Sequence, residues 1–138
     1  MLKYINQFRI EQGDTEAISL PVLTLIAEER AVQLQDKFEH NITSSREIFA
    51  KYQYGEWVDM SKYGYDGYYS PNAKEAITKA NIAYSPDELG YTLANALRNS
   101  KNHWAYVGSS DFPYMAIGIE FDGEYFNCCV LQTKKNYG

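Results

Sequence analysis

The chain has 138 residues, of which 45% are hydrophobic and 22% are charged, as in an ordinary globular protein, and this length predicts a single domain over residues 1–138. The formal net charge of -5 argues against nucleic-acid binding and against electrostatic binding to anionic lipid, since both need clustered lysine and arginine. No apolar stretch approaches the roughly 20 residues of a membrane span, and the first residues do not form a secretory leader, so we expect either a cytoplasmic protein or one whose leader has been removed.

The first third of the chain carries helical patterns. Apolar residues recur at helical spacing over residues 2–8, which predicts a first helix that ends at Gly13. A longer apolar stripe from Leu20 to Phe38 predicts an amphipathic helix, with Arg30 on its polar side. His40 lies just beyond the last turn of this helix.

The next segment combines a helix signal with many aromatic residues. Ser44 and Glu47 have capping-box spacing, which predicts a short helix. Residues 52–70 then hold six tyrosines, one tryptophan and three glycines, and this composition predicts an ordered loop. Its rings either pack on the domain as a satellite core or line a groove for a peptide, a glycan or an apolar ligand.

The second half predicts a sheet with a helix before its last two strands. Residues 76–82 are consistent with a strand, and Ser85-Pro86-Asp87-Glu88 is a strong helix start. Two β-rich runs, 115–121 and 125–131, flank Asp122-Gly123, which predicts a hairpin with a type I′ turn. Helices followed by an antiparallel hairpin predict an α+β domain.

The two cysteines, Cys128 and Cys129, are adjacent in the last predicted strand. Neighbouring strand residues point to opposite faces, so we interpret them as small apolar residues rather than as a redox pair. They also lack the C-x-x-C spacing of a metal site.

Several motifs, in this order, resemble the bacterial form of the CAP superfamily, which includes cysteine-rich secretory proteins, venom antigens and plant pathogenesis-related proteins. The resemblance covers nearly the whole chain and implies a three-layer α-β-α sandwich with a central antiparallel sheet and a surface cleft. The matching segments are Asn6-Gln7-Phe8-Arg9-Ile10-Glu11-Gln12-Gly13, Phe38-Glu39-His40, Lys79-Ala80-Asn81-Ile82-Ala83, Ser85-Pro86-Asp87-Glu88, Ser100-Lys101-Asn102-His103 and Ala116-Ile117-Gly118-Ile119.

The cleft of many members holds two histidines and two acidic residues, and in some a divalent metal. The resemblance assigns the histidines to His40 and His103, which could together bind Zn²⁺ or another divalent cation. The motif glutamate is replaced by Ala80, whose methyl group can neither bind a metal nor accept a proton. Glu75 and Glu56 are candidates for the missing carboxylate, and the second acid is not assigned.

Ser100 precedes His103 by three residues, which suggests a nucleophile beside a base. Because no orienting acid is evident, we favour a C-cap role for Ser100, and no catalytic residue is assigned. Glu88 is better explained by the helix start than by acid catalysis.

The leading interpretation is a secreted or cell-envelope binding module, monomeric, whose histidine-containing cleft takes a small apolar, peptide or glycan ligand. The alternatives are a divalent-metal-dependent hydrolase of peptide or ester bonds and a degenerate structural or interaction module. Because the chain shows neither a leader nor a disulfide framework, a cytoplasmic or phage-associated origin stays open.

Overall fold

The computed structural model describes residues 1–81 and 85–138. None of the helices in these ranges is long and apolar enough to cross a membrane. The helices are α1 (Leu2–Glu11), α2 (Pro21–Asp36), α3 (Ile42–Lys51), α4 (Pro86–Arg98) and α5 (Lys101–Val107), with a short 3₁₀ helix at Met60–Tyr63. The strands are β1 (Ile18–Ser19), β2 (Val58–Asp59), β3 (Tyr68–Tyr69), β4 (Ala73–Ala80), β5 (Tyr114–Phe121) and β6 (Phe126–Thr133).

A four-stranded sheet with the order β1-β5-β6-β4 forms the centre of the domain. The three long strands pair antiparallel, while the short strand β1 pairs parallel with β5. The strand β4 is therefore an edge strand of this sheet. A separate two-stranded ribbon of β2 and β3 lies between α3 and β4 in the chain.

Hydrophobic cores lie on both faces of the sheet, because successive strand side chains point to opposite sides. On one face, Cys129 and Leu131 of β6 pack with α2 and α3. On the other face, Cys128 and Val130 pack with α1, α4 and α5. This arrangement is the predicted α-β-α sandwich, and the fold-class prediction is confirmed.

The adjacent cysteines have the apolar role that the sequence predicts. Both thiols are fully buried and neither forms a disulfide within the described residues. Burial raises the pKa of Cys128 to about 12, and burial together with the Glu75 carboxylate raises the pKa of Cys129 well above its usual value. Neither thiol is therefore ionised near neutral pH, so neither has the thiolate that redox chemistry needs.

Two local predictions need correction. The hairpin between β5 and β6 forms, but the type I′ turn is wrong, because such a turn needs a positive φ at both central residues and Gly123 has one while Glu124 does not. The Asp122 side chain accepts hydrogen bonds from the backbone N–H groups of Glu124 (2.9 Å) and Tyr125 (2.7 Å), and its backbone N–H donates to the Tyr125 carbonyl at 3.0 Å.

The second correction concerns the start of α3. Its N-cap is Asn41 rather than Ser44, and the Asn41 side chain accepts the Ser44 backbone N–H at 3.0 Å. By contrast, Ser85 caps α4 as predicted, accepting the backbone N–H of Glu88 at 3.1 Å.

The aromatic segment divides into a buried part and an exposed part. Tyr54 is 3% exposed and Phe49 of α3 lies against both Tyr54 and Trp57, with ring centroids 5.9 and 5.3 Å apart. Tyr63 and Tyr65, at the far end of the β2–β3 ribbon, are 65% and 67% exposed. The segment thus adds Tyr54 and Trp57 to the core between the sheet, α2 and α3, rather than forming a satellite core, and it also presents aromatic rings to solvent.

Candidate functional site

A buried ion pair between α2 and β4 forms the base of the site. Arg30 donates from Nε to Glu75 Oε2 (2.7 Å) and from Nη2 to Glu75 Oε1 (2.9 Å). Their side chains are 2% and 13% exposed. Arg30 also donates to Gln33 Oε1 at 2.7 Å and to the Glu39 carbonyl at 3.1 Å, so the guanidinium is held from several sides. The prediction that Arg30 lies on the polar side of its helix is therefore wrong.

Glu75 also contacts residues beyond Arg30. The Nδ1 atom of His40 lies 3.1 Å from Oε1, and the Ser45 hydroxyl donates to Oε2 at 3.4 Å. The thiol of Cys129 lies 3.8 Å from Oε2. Glu75 is thus an anchored anion that positions His40, and the structure brings these two sequence candidates together.

The charges at this cluster shift the pKa values of both Glu75 and His40. Burial alone would raise the pKa of Glu75, but the hydrogen bonds and charges of Arg30 and His40 lower it to about 2. The hydrogen bond to Glu75 raises the pKa of His40, and this outweighs the effect of partial burial. His40 is therefore protonated at a higher pH than an ordinary histidine.

Acid should destabilise the protein partly through Glu75. The pKa of Glu75 is lower in the folded state than its ordinary value of 4.5, so its contribution to stability is complete above that value and is lost as the pH falls toward 2. A shift of this size corresponds to about 3 kcal/mol. We expect Glu75→Gln to show a shallower loss of unfolding free energy between pH 5 and pH 2, measured by urea denaturation. Parallel curves for the two proteins would contradict the low pKa.

His103 lies in the first turn of α5, close to the Ser100 hydroxyl. Ser100 Oγ is 2.9 Å from His103 Nδ1, and Ser100 is the N-cap of α5, so the predicted C-cap role is wrong. Burial lowers the pKa of His103, and the charge of His40 lowers it further. The groove that His40 lines, between α3 and β4, does not include His103 in its described lining.

Glu56 lies apart from this cluster. It accepts a hydrogen bond from Lys135 Nζ at 2.9 Å and another from the Asn72 side-chain amide. Ala80 ends β4, where it pairs with Phe126. The motif residues Ile82 and Ala83 lie outside the described residues.

The residues present do not fit a divalent metal. Within residues 1–81 and 85–138, no group of three or more histidine, cysteine, aspartate or glutamate side chains could hold an ion. Both oxygens of Glu75 already accept hydrogen bonds from Arg30, whose positive charge would repel a second cation.

A groove of about 250 Å³ opens beside His40, between α3 and the edge strand β4. Its walls are mainly apolar, and its polar residues lie on α3, on β4 and on the segments that precede them. The apolar lining includes Phe49, Trp57, Tyr69 and Leu131, and the polar lining includes His40, Ser70, Lys74 and Glu75.

Two polar atoms of the groove residues have no partner within the described chain. Ser70 is 6% exposed, and its hydroxyl makes no hydrogen bond there. The indole N–H of Trp57 is likewise buried without a partner. Both residues line the groove, and the two atoms themselves are buried.

Sequence reasoning missed Arg30, Ser70 and Lys74 as parts of the site. The helical spacing of Arg30 carried a usable signal, because it follows the buried residues Leu23 and Ile26 by seven and four positions. Ser70 and Lys74 carried none, since only the folded chain places them at one groove.

No protein-family model and no curated protein sequence matches this chain. Among solved structures, the chain is similar to a cysteine-rich secretory protein from Staphylococcus aureus, with a TM-score of 0.61 and 14% identity. That match covers 96% of this chain but only 36% of the Staphylococcus chain. It is also similar to an outer surface protein from Borrelia burgdorferi, with a TM-score of 0.68 and 16% identity, over 98% of this chain and 90% of the other. At these identities the matches establish the fold, which is that of a CAP-like domain.

Proposed function

We propose that this CAP-like domain is a secreted or cell-envelope binding module that takes an apolar ligand group into the groove beside His40. The compartment is supported by its two structural neighbours, one of which is named a secretory protein and the other an outer surface protein. The ligand class is supported by the mainly apolar lining of the groove, which includes Phe49, Trp57 and Tyr69.

The observation that carries the proposal is a mainly apolar groove with His40 held at one side by Glu75. Ligand sites in proteins combine mainly hydrophobic walls with a few placed polar groups. Here His40 is such a polar group, and its hydrogen-bond distance of 3.1 Å to Glu75 fixes its position at one side of the groove.

Glu75 is a poor candidate for the general base of a hydrolase. A general base needs a pKa near the working pH, and the Glu75 carboxyl has a pKa of about 2. Its oxygens are also occupied by Arg30 and His40. Glu75 is therefore suited to orient His40 and poorly suited to take a proton from water.

A neutral fluorescent probe tests the proposal directly. We expect N-phenyl-1-naphthylamine to bind the wild-type protein at one saturable site. Ala73→Trp, which adds an indole to a residue of the groove wall, should weaken this binding by about tenfold or more, as for an obstructed pocket. The measurement is a fluorescence titration of each variant at equal protein concentration.

The matched control is Ala96→Trp, which adds the same side chain at an exposed position of α4 on the opposite side of the sheet. This variant should bind the probe like the wild type. Equal binding by all three proteins, or no saturable binding by the wild type, would overturn the proposed function.

A further inference from the structure

The chain that follows β6 is joined by hydrogen bonds to two stretches that lead into the groove wall. Lys134 donates its backbone N–H to the carbonyl of Asn72 at 2.8 Å, and Asn72 directly precedes β4, whose first three residues line the groove. The ammonium of Lys135 donates to Glu56 at 2.9 Å, and Glu56 directly precedes the lining residue Trp57. The segment after β6 therefore holds the wall at two points.

Tyr137 extends this contact into the core. Its ring lies edge-to-face against Tyr54, with centroids 5.3 Å apart, and it packs against the core that contains Tyr54. Tyr54 in turn lies 5.9 Å from Phe49, and Phe49 lies 5.3 Å from Trp57. Phe49 and Trp57 line the groove, whereas Tyr54 and Tyr137 are not part of its described lining. Four rings in successive contact thus lead from Tyr137 to the groove.

The part of the wall that carries Trp57 is a loop, so its position depends on side-chain packing. It connects α3, which ends at Lys51, with β2, which begins at Val58. The chain turns there with positive φ angles at Gln53 (50°) and Gly55 (79°). Site residues on loops are placed less precisely than those on helices and strands unless a supporting layer fixes them. The rings behind Trp57 are such a layer.

We infer that Tyr137 is a positioning residue of the groove, which fixes Tyr54 and through it the lining rings that take the apolar ligand group. Tyr137 lies outside the described lining, so it acts through the other rings rather than by contact with the ligand. This inference rests on the proposed function, since it names a residue beyond the groove that controls binding in it.

Titration with N-phenyl-1-naphthylamine tests the inference in variants of Tyr137. We expect Tyr137→Ala to weaken binding by about fivefold, the factor that corresponds to the loss of one aromatic pair contact. Tyr137→Phe keeps the ring and should bind like the wild type. If Tyr137→Ala does not fold, Tyr137→Leu replaces it, because leucine keeps apolar bulk but has no ring, and its binding should also be weaker. Each titration is made at a temperature at which circular dichroism shows a folded protein.

Tyr91→Ala is the matched control. Tyr91 belongs to α4, which packs on the opposite face of the sheet from the groove. Its ring lies edge-to-face against Tyr4, with centroids 5.2 Å apart, so the substitution removes the same side chain and a contact of the same kind. The Tyr91→Ala protein should bind the naphthylamine like the wild type.

The two tryptophans of the chain give a readout that a loss of stability alone would not move. The indole N–H of Trp57 is buried at the groove, while that of Trp104 donates to Gln12 at 2.8 Å. In Tyr137→Ala the proton–nitrogen NMR signal of the Trp57 indole should shift and that of Trp104 should stay in place. Trp104→Phe assigns the two signals.

An equally large loss of binding in Tyr91→Ala would overturn the inference. Weaker binding by Tyr137→Ala with an unmoved Trp57 signal would also overturn it, because the effect would then not pass through the groove wall. If the wild type binds the naphthylamine and Tyr137→Ala binds it equally well, the inference fails and the binding function stands. If the wild type does not bind, both fail.

Discussion

Arg30→Met is expected to lower the free energy of unfolding by about 3–5 kcal/mol at pH 7, because it removes one partner of a buried ion pair. The side chains of Arg30 and Glu75 are 2% and 13% exposed, so the remaining carboxylate would stay away from water without its main counter-charge. Methionine has a similar length and apolar stem, so the loss reports the charge rather than a cavity. Urea denaturation with a two-state fit measures it.

Two comparisons make this prediction specific. The double variant Arg30→Met/Glu75→Leu should recover much of the loss, since replacing a whole buried pair by apolar residues is often nearly neutral. Lys51→Met breaks the Lys51–Glu29 contact of 2.8 Å, whose side chains are 61% and 36% exposed, and should cost less than about 1 kcal/mol. An Arg30→Met protein as stable as Lys51→Met would show that the pair has no special role.

Arg30 also shows why the site was harder to predict than the fold. Its spacing from Leu23 and Ile26 places it on the buried face of α2, but a charged residue in an amphipathic pattern is ordinarily assigned to solvent. The assignment changes only when the partner is known, and Glu75 lies 45 residues further along the chain. Helical periodicity indicates the direction in which a side chain points, but it does not identify the residue that the side chain contacts.

Local signals, by contrast, were sufficient where the structure depends on neighbours in sequence. Ser85 begins α4 as predicted, and the adjacent cysteines separate to the two cores as strand alternation requires. Ser44 was misassigned because Asn41, three residues earlier, offers a competing cap of equal strength. The His40–Glu75 contact was foreseen only as one of two candidates, since sequence patterns could not choose between Glu75 and Glu56.

The second large effect is expected at Gly118 of β5, where α2 crosses the sheet. A Cβ atom at this position would lie 2.2 Å from the Ala27 carbonyl oxygen and 2.6 Å from the Glu28 backbone nitrogen. Because these atoms belong to the backbone of a helix, no side-chain rotation can relieve the overlap, and α2 would have to move away from the sheet. We expect Gly118→Ala to lower the free energy of unfolding by about 3 kcal/mol, the upper end of the usual range for overpacking.

Gly64→Ala separates this steric effect from the general cost of replacing a glycine. Gly64 has φ +82 and no atom within 4 Å of an added Cβ, so alanine there meets backbone strain alone and should cost about 1 kcal/mol. Because α2 carries Arg30, its displacement in Gly118→Ala should also weaken the Arg30–Glu75 pair and raise the pKa of Glu75. The Gly118→Ala protein should therefore lose less stability between pH 5 and pH 2 than the wild type, while Gly64→Ala keeps the wild-type slope. Equal unfolding free energies for the two glycine variants would contradict this prediction. They would show that α2 and β5 accommodate a Cβ atom at position 118 without a steric cost.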